Sequence, residues 1–222
     1  MSEEELQEQI IQQIEVLVEE LDGTMCQSTR CNSMGRRSKV IEIEYNVEGK
    51  NYIMNIFVTD PSPTVSAQVL PDKHVVKMPL ESCQMLAIVC SEKWGHGYGE
   101  IHKKDGEPYK TDKGAFRGHP CTIWANESNI NAWWLVAHAM ALCEEYTHRY
   151  GKVHSCESTV LEAGQLIPFT MQRPKSFAFA GPDEFKHDTS IDTFTAYKRY
   201  ISSKPWAASN YLRDPSKKPN WL

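Results

Sequence analysis

The chain has 222 residues, of which 41 % are hydrophobic and 24 % are charged, a composition typical of a globular protein with a core of its own. Because no run of about 18 apolar residues occurs, the sequence excludes a membrane-spanning helix, and the acidic opening MSEEELQEQI excludes a secretory signal. The formal net charge is −5, but two parts of the chain differ in sign.

The negative charge is concentrated at the start of the chain. Residues 1–22 carry eight carboxylates and no lysine or arginine, a charge of −8. The remainder therefore carries 24 basic and 29 − 8 = 21 acidic side chains, a charge of +3. A mildly basic body behind an acidic leader is compatible with a polyanionic ligand.

Three elements are predicted before residue 60. Apolar residues spaced by three or four predict an amphipathic helix over residues 3–21. The polar stretch 23–38 is interpreted as a loop or linker. The alternating stretch 40–58, with EGKN at its centre, predicts a β-hairpin. We therefore expect residues 1–38 to be an acidic helix with a polar linker, and residues 39–222 to be a single domain.

Helices dominate the rest of the chain. Two are predicted near residues 63–70 and 72–92, with Pro79 kinking or interrupting the second. Residues 93–118 are rich in glycine and charge and are expected to form a long surface loop, the most mobile in the chain.

One short and one long helix are predicted within residues 119–152. The long helix is apolar nearly all round from Trp133 to Cys143, so it should be the central buried helix, with Gly151 after its end. A Pro-containing loop (169–185), a last helix (189–206) and a basic-aromatic tail follow. The predicted fold class is mainly α (α+β), a helical core with a small N-terminal antiparallel β-hairpin.

The seven cysteines show no disulfide spacing and are interpreted as reduced thiols of a cytoplasmic protein. Cys26 and Cys31 have a C-x4-C spacing, which is a weak zinc signal. No glycine-rich phosphate loop, G-x-S-x-G elbow or H-E-x-x-H motif occurs. We therefore expect no cofactor and no metal.

The first cluster of candidate residues lies in LPDKHVVKMPLESCQML, residues 70–86. On a helix, Lys73, Lys77, Glu81 and Gln84 share one face, with His74 at its edge. Such a face is compatible with an ordinary solvated surface. It is also compatible with a carboxylate flanked by cations and a histidine, a set suited to general acid–base chemistry beside a phosphate-bearing substrate.

The second cluster is EEYTHRYGKVH, residues 144–154, at the end of the long helix. Its candidate binding residues are Arg149, Lys152 and His154, which could hold phosphates or form a polar network that complements the helix dipole. Glu145 and His148 have the i, i+3 spacing of di-iron helices, but no second pair accompanies them. His138, inside the apolar run, is expected to be a satisfied core histidine.

Two further stretches contribute candidates. His119 precedes Pro120 and marks an element boundary. The segment 185–222 mixes basic and aromatic residues, including Arg199 and Lys204, a pattern suited to nucleic acid through phosphate contacts and base stacking. The same pattern also fits a tail that packs on the core through its aromatic rings and leaves its lysines in water.

Four segments carry a resemblance to known proteins. DKHVVKMPLESCQML, HPCTIWANES, EEYTHRYGKVH and YKRYISSKPW resemble a family of mostly uncharacterised tailed-phage proteins, from about Ile53 to the C-terminus. The resemblance implies a phage-encoded protein made in a bacterial cytoplasm, and it does not by itself imply an activity.

His74 and Glu81, seven residues apart after the stretch YIMNIF, also resemble the phage pyrimidine-dimer DNA glycosylases. That resemblance implies a compact helical enzyme with Glu81 as the catalytic carboxylate and His74 as a DNA-contacting residue. Those enzymes attack the sugar with their N-terminal α-amine, whereas about fifty residues precede the matching segment here. Leu80 and Gln84 also stand where the family has arginines. An activated water, or a lysine such as Lys73 or Lys77, could attack instead.

These observations favour a DNA-processing enzyme that acts on a nucleobase or its glycosidic bond. Glu81, His74 and Lys77 are the expected catalytic residues. The expected phosphate or nucleic-acid contacts are Lys73, Gln84, His119, Arg149, Lys152, His154, Arg199 and Lys204. Two other readings stay open: a non-catalytic accessory protein that binds nucleic acid, or a host protein through residues 1–22, and an enzyme on free nucleotides.

Overall fold

The structure, a computed structural model, describes residues 23–31, 37–45 and 54–222, and it describes only the backbone of the first two segments. The chain divides into two units, Met1–Asn51 and Tyr52–Leu222. The helix predicted over residues 3–21 lies outside the described residues. None of the helices described is long and apolar enough to cross a membrane.

Two antiparallel strands are described in the first unit. β1 (Gly23–Cys31) pairs with β2 (Arg37–Tyr45), from Gly23 opposite Tyr45 to Cys31 opposite Arg37. β1 lies within the stretch that the sequence predicts to be a loop or linker.

The predicted fold class is wrong in its β part, because the hairpin expected over residues 40–58 is not formed. Its first half pairs with β1 instead, and residues 54–58 are neither helix nor strand. The backbone carbonyls of residues 56 and 57 contact side chains of the helical unit. The carbonyl of Ile56 lies 3.0 Å from Nε2 of His138, and that of Phe57 accepts from Ser66 Oγ. Within residues 54–222 the regular structure is helical, without a β-strand.

The second unit is a helical bundle whose elements begin at clear sequence signals. Ser128 and Asp192 cap helices with their side chains, and Pro63 and Pro120 occupy first turns, where a missing N–H costs nothing. The α-helices described are α1 (Pro63–Gln68), α2 (Asp72–Cys90), α3 (Pro120–Asn126), α4 (Asn129–Tyr150), α5 (Glu157–Leu166), α6 (Asp183–Lys186) and α7 (Thr193–Ser202). Short 3-10 turns cover Ala207–Ser209 and Pro215–Lys217.

The long helix α4 is central, as its apolar sequence predicts. α1, α2, α3 and α5 all pack against it, and Leu135 and Leu142 are fully buried. His138 is a core histidine between the carbonyls of Ile56 and Pro63, which confirms that prediction. Gly151 ends the helix in the left-handed conformation at φ 66°.

α2 carries the first candidate cluster and runs unbroken through Pro79. The predicted surface loop 93–118 is mostly exposed and contains an isolated bridge between His102 and Pro108. The tail returns to the core, where the Tyr211 hydroxyl donates to the carbonyl of Val69 over 2.7 Å.

Candidate active site

Glu81 is a buried carboxylate on α2, with only 3 % of its surface exposed. Its Oε2 accepts a hydrogen bond of 2.7 Å from the backbone N–H of Asn55, and its Oε1 lies 3.2 Å from Nζ of Lys77. Burial raises the pKa of Glu81, while Lys77 and the Asn55 N–H partly oppose the rise. A carboxylate with a raised pKa accepts a proton more readily than an ordinary glutamate does.

Asn55 fixes the segment that covers Glu81, residues 54–58, which we call the covering segment. Its side-chain Oδ1 accepts from the N–H groups of Ile56 and Phe57, and its Nδ2 donates to the carbonyl of Ala180 over 2.5 Å. Phe57 then adopts φ 44°, a conformation that costs energy for a residue with a side chain. The turn directs the Asn55 N–H at the carboxylate and the Phe57 ring at His74.

His74 is buried in an aromatic stack. Its ring lies 4.0 Å from the Phe57 ring in a stacked arrangement and 5.5 Å from the Trp206 ring edge-on. Burial, with the charges of Lys204, Lys77 and Lys73, lowers the pKa of His74 to about 3. The imidazole is therefore neutral at physiological pH, and its Nδ1 has no hydrogen-bond partner within the described part of the chain.

Three lysines surround these two side chains. The side chain of Lys77 is 53 % exposed although its ammonium reaches Glu81. Nζ of Lys73 lies 4.8 Å from the centre of the Trp206 ring, and Nζ of Lys204 lies 4.5 Å from that of Tyr200. We call Glu81, His74, Lys73, Lys77 and Lys204 the Glu81 cluster. Because His74 is neutral, the Glu81 cluster contains three ammonium groups and one carboxylate. The surface of this cluster is therefore electropositive.

Arg149 is not part of this cluster, because its guanidinium is hydrogen-bonded to buried groups of the protein. It donates to Asp72, to Glu145 and to the carbonyls of Leu70 and Gln68 over 2.8–3.2 Å, with no exposed side-chain surface. Lys217 donates to Glu145 as well. Asp72 and Glu81 are nine residues apart on α2, about 13 Å along the axis. Arg149 therefore lies in a separate buried network and not beside Glu81.

The other residues of the second stretch also lie apart from Glu81. His154 is buried, with Nε2 3.0 Å from the carbonyl of Val76 and Nδ1 accepting from the Cys156 N–H. Both ring nitrogens are thus occupied within the protein, which leaves no nitrogen for a phosphate. Lys152 is exposed in the turn after α4.

The remaining candidates have separate surroundings. His119 caps α3 by accepting from the Cys121 N–H, and it interacts with the backbone of Met54, one residue from Asn55; burial lowers its pKa. Gln84 is half-buried one turn beyond Glu81. Arg199 is exposed and pairs with Asp188 over 3.1 Å. Of these, His119 is connected to the covering segment of the candidate site.

Within the described residues no group of three or more histidine, cysteine, aspartate or glutamate side chains could hold a metal ion. Glu145 is paired with Arg149 and Lys217, and His148 with Asp214. The side chains of Cys26 and Cys31 are not described.

Asn55 and Phe57 are not among the candidate residues predicted from the sequence, although the local pattern contains a signal. Asn55 is the polar residue in the otherwise apolar run MNIFV, and it is 4 % exposed. A buried amide usually has specific partners, and here those partners create the site.

A family model described as pyrimidine dimer DNA glycosylase matches residues 54–158, just under half of the chain. The match begins next to Asn55 and includes His74, Lys77 and Glu81. Comparisons with curated proteins and with solved structures found no match. The distant resemblance to pyrimidine-dimer glycosylases is thus confirmed. The match supports a DNA glycosylase-like enzyme with DNA as its substrate, and it gives no support to a host-protein partner.

Proposed function

We propose that this chain, whose residues 54–158 match the glycosylase model, is a phage-encoded enzyme that acts on a DNA nucleobase or its glycosidic bond. The observation that carries the proposal is the environment of Glu81, a buried carboxylate held by the Asn55 N–H and Lys77. An ionisable group in such surroundings has a perturbed pKa and typically has a functional role.

Glu81 is the proposed catalytic carboxylate. As the bond between C1′ and the base breaks, positive charge develops on the deoxyribose, and a carboxylate in a low-dielectric site stabilises it. A water oxygen then bonds to C1′, its proton passes to Glu81, and the electron pair of the broken bond leaves with the base. The raised pKa of Glu81 favours its acting as this proton acceptor.

The nucleophile is proposed to differ from that of the resembled family. The nitrogen next to Glu81 is the backbone amide of Asn55, whose lone pair is delocalised into the peptide bond and does not attack carbon. A water molecule is the first candidate, and Lys77, with its Nζ 3.2 Å from Glu81, is the amine in position to replace it. Borohydride distinguishes the two, because it traps the imine that a lysine forms and does not trap a water product.

DNA is proposed to bind across the lysine side of the Glu81 cluster. Lys73 and Lys204 would contact phosphates, and Trp206, half-buried between them, offers a ring for stacking. His74 is assigned a positioning role beneath Phe57 and Trp206, because a neutral buried imidazole does not form an ion pair with a phosphate. Gln84, His119, Lys152 and Arg199 stay candidates for contacts farther out, and the loop 93–118 for a lid.

The test is a base-release assay on plain, UV-irradiated and base-modified duplex DNA. Wild type should release a base from at least one substrate, and Glu81→Gln should lower the rate by about 100-fold or more. Glu144→Gln is the matched control, because Glu144 is an exposed helical carboxylate. Release that survives in Glu81→Gln, or the absence of a product from every substrate, would overturn the proposal.

A further inference from the structure

A second site lies on the other side of α2. A cavity of about 480 Å³ is lined by Leu80 of α2, by Lys103, Lys104 and Tyr109 of the loop, and by Cys156. None of the residues of the Glu81 cluster lines this cavity. The cavity is therefore distinct from the Glu81 cluster, and the proposed base chemistry does not use it.

Two thiols meet beside this cavity. Cys83 is fully buried on α2, and its Sγ lies 3.8 Å from the carbonyl oxygen of Cys156. The Cys83 side chain therefore packs directly against Cys156. Cys156, at the start of α5, reaches the cavity wall with 6 % of its surface exposed. Cys156 thus forms part of the cavity wall, and Cys83 lies directly behind it.

The surroundings of Cys156 favour its thiolate. Interactions with the Cys83 and His154 side chains lower the pKa of Cys156, although burial opposes them. Burial instead raises the pKa of Cys90 and of Cys121 to about 12. Lys103 and Lys104 also line the cavity, against a single acidic residue, Asp105. Reactive cysteines occupy partly accessible, electropositive surroundings of this kind, whereas buried structural cysteines are inert.

We propose that Cys156 and Cys83 are a peroxide-sensitive dithiol pair. The Cys156 thiolate attacks one oxygen of hydrogen peroxide, an S–O bond forms, the O–O bond breaks, and the leaving hydroxide takes a proton from solvent to become water. The Cys83 thiol then attacks the sulfenic sulfur, losing its proton to the departing hydroxyl, which leaves as a second water. The product is a disulfide that links α2 to the start of α5, and thiol reductants reverse it.

The test is a cysteine map of the folded wild-type protein after treatment with hydrogen peroxide. Free thiols are alkylated, the protein is digested without reduction, and mass spectrometry assigns each cysteine. The expected result is a linked peptide pair that contains Cys83 and Cys156 and disappears after dithiothreitol. In untreated protein, iodoacetamide should modify Cys156 at least about tenfold faster than Cys90. Both measurements use wild type, so neither depends on a variant that folds.

Variants then assign the order of the two thiols. In Cys83→Ser, dimedone should label Cys156 as a trapped sulfenic acid. Cys143→Ser is the matched control, because Cys143 is buried near the pair without a hydrogen bond to either thiol, and it should still form the link. A disulfide between other cysteines, no linked peptide, or alkylation of Cys156 no faster than that of Cys90 would overturn the proposal.

Discussion

The backbone N–H of Asn55 lies 2.7 Å from Oε2 of Glu81, so the nitrogen closest to this buried carboxylate belongs to the main chain. The hydrogen bond joins residues that are 26 positions apart and fixes the covering segment over α2. This amide is not nucleophilic. It occupies the position beside Glu81 where an α-amine could attack the sugar, as the N-terminal amine does in the resembled glycosylases.

A chain that begins at Asn55 should therefore gain a reactive amine. Site-specific cleavage of a fusion would convert the Asn55 amide into an α-amine beside Glu81, and this amine can form an imine with the sugar. We expect at least about tenfold more borohydride-trapped DNA adduct than from the full chain. The control is a chain that begins at Met54, which keeps the amide at Asn55. Equal trapping by both shortened chains would contradict the assignment.

Glu81 should make the stability of wild type fall relative to Glu81→Gln as the pH rises. Its folded-state pKa is raised above the ordinary 4.5, so the native state holds the proton more tightly than the unfolded state. The resulting stabilisation is complete below the ordinary pKa and is lost as the pH rises through the raised one. Urea unfolding of both proteins across this range measures the difference. A difference between wild type and Glu81→Gln that stays constant with pH would contradict the prediction.

The lysines of the Glu81 cluster should determine the salt dependence of DNA binding. Lys73→Gln and Lys204→Gln should each reduce the slope of log K against log salt by about 1, because each removes one phosphate contact. His74→Gln should weaken binding without changing the slope, since the imidazole is neutral. Lys217→Gln is the control, because that ammonium is bonded to Glu145. Equal slopes for all four variants would exclude this surface as the phosphate-binding face.

Arg149 should matter for stability and not for DNA contact. Arg149→Ala leaves the carboxylates of Asp72 and Glu145 buried without their main cation, which should cost about 3–5 kcal/mol of unfolding free energy. Arg199→Ala removes only an exposed pair with Asp188 and should leave the unfolding free energy nearly unchanged. Chemical denaturation measures both. If Arg149→Ala lowered the unfolding free energy as little as Arg199→Ala does, the buried network of Arg149 would not be a stabilising one.

Local pattern predicted much of the helical fold. The positions of α2 and α4, the burial of α4 and the left-handed Gly151 all follow from apolar spacing and end signals. The shared face of Lys73, Lys77 and Glu81 was also predicted, but the burial of Glu81 was not. Periodicity describes one helix at a time, whereas Glu81 is covered by residues distant in sequence.

The errors have the same origin. Alternation over residues 40–58 predicts two strands, but the pairing partner of β2 is β1, and Asn55 turns the second half toward α2. The basic residues and histidines near Arg149 in the sequence are typical of a phosphate-binding stretch. Its N–H groups nevertheless donate to the carbonyls of Leu70 and Gln68. Such long-range partners are set by packing and leave no short-range signal in the chain.

The most direct test of the central claim is the single-turnover rate of base release as a function of pH, for wild type and Glu81→Gln on the same substrate. Wild type should lose activity as the pH falls through an ionisation above 4.5, the ordinary value for glutamate. Glu81→Gln should be slower by about 100-fold or more and should lack that ionisation. A variant with the wild-type rate and the same pH profile would show that Glu81 is not the catalytic carboxylate.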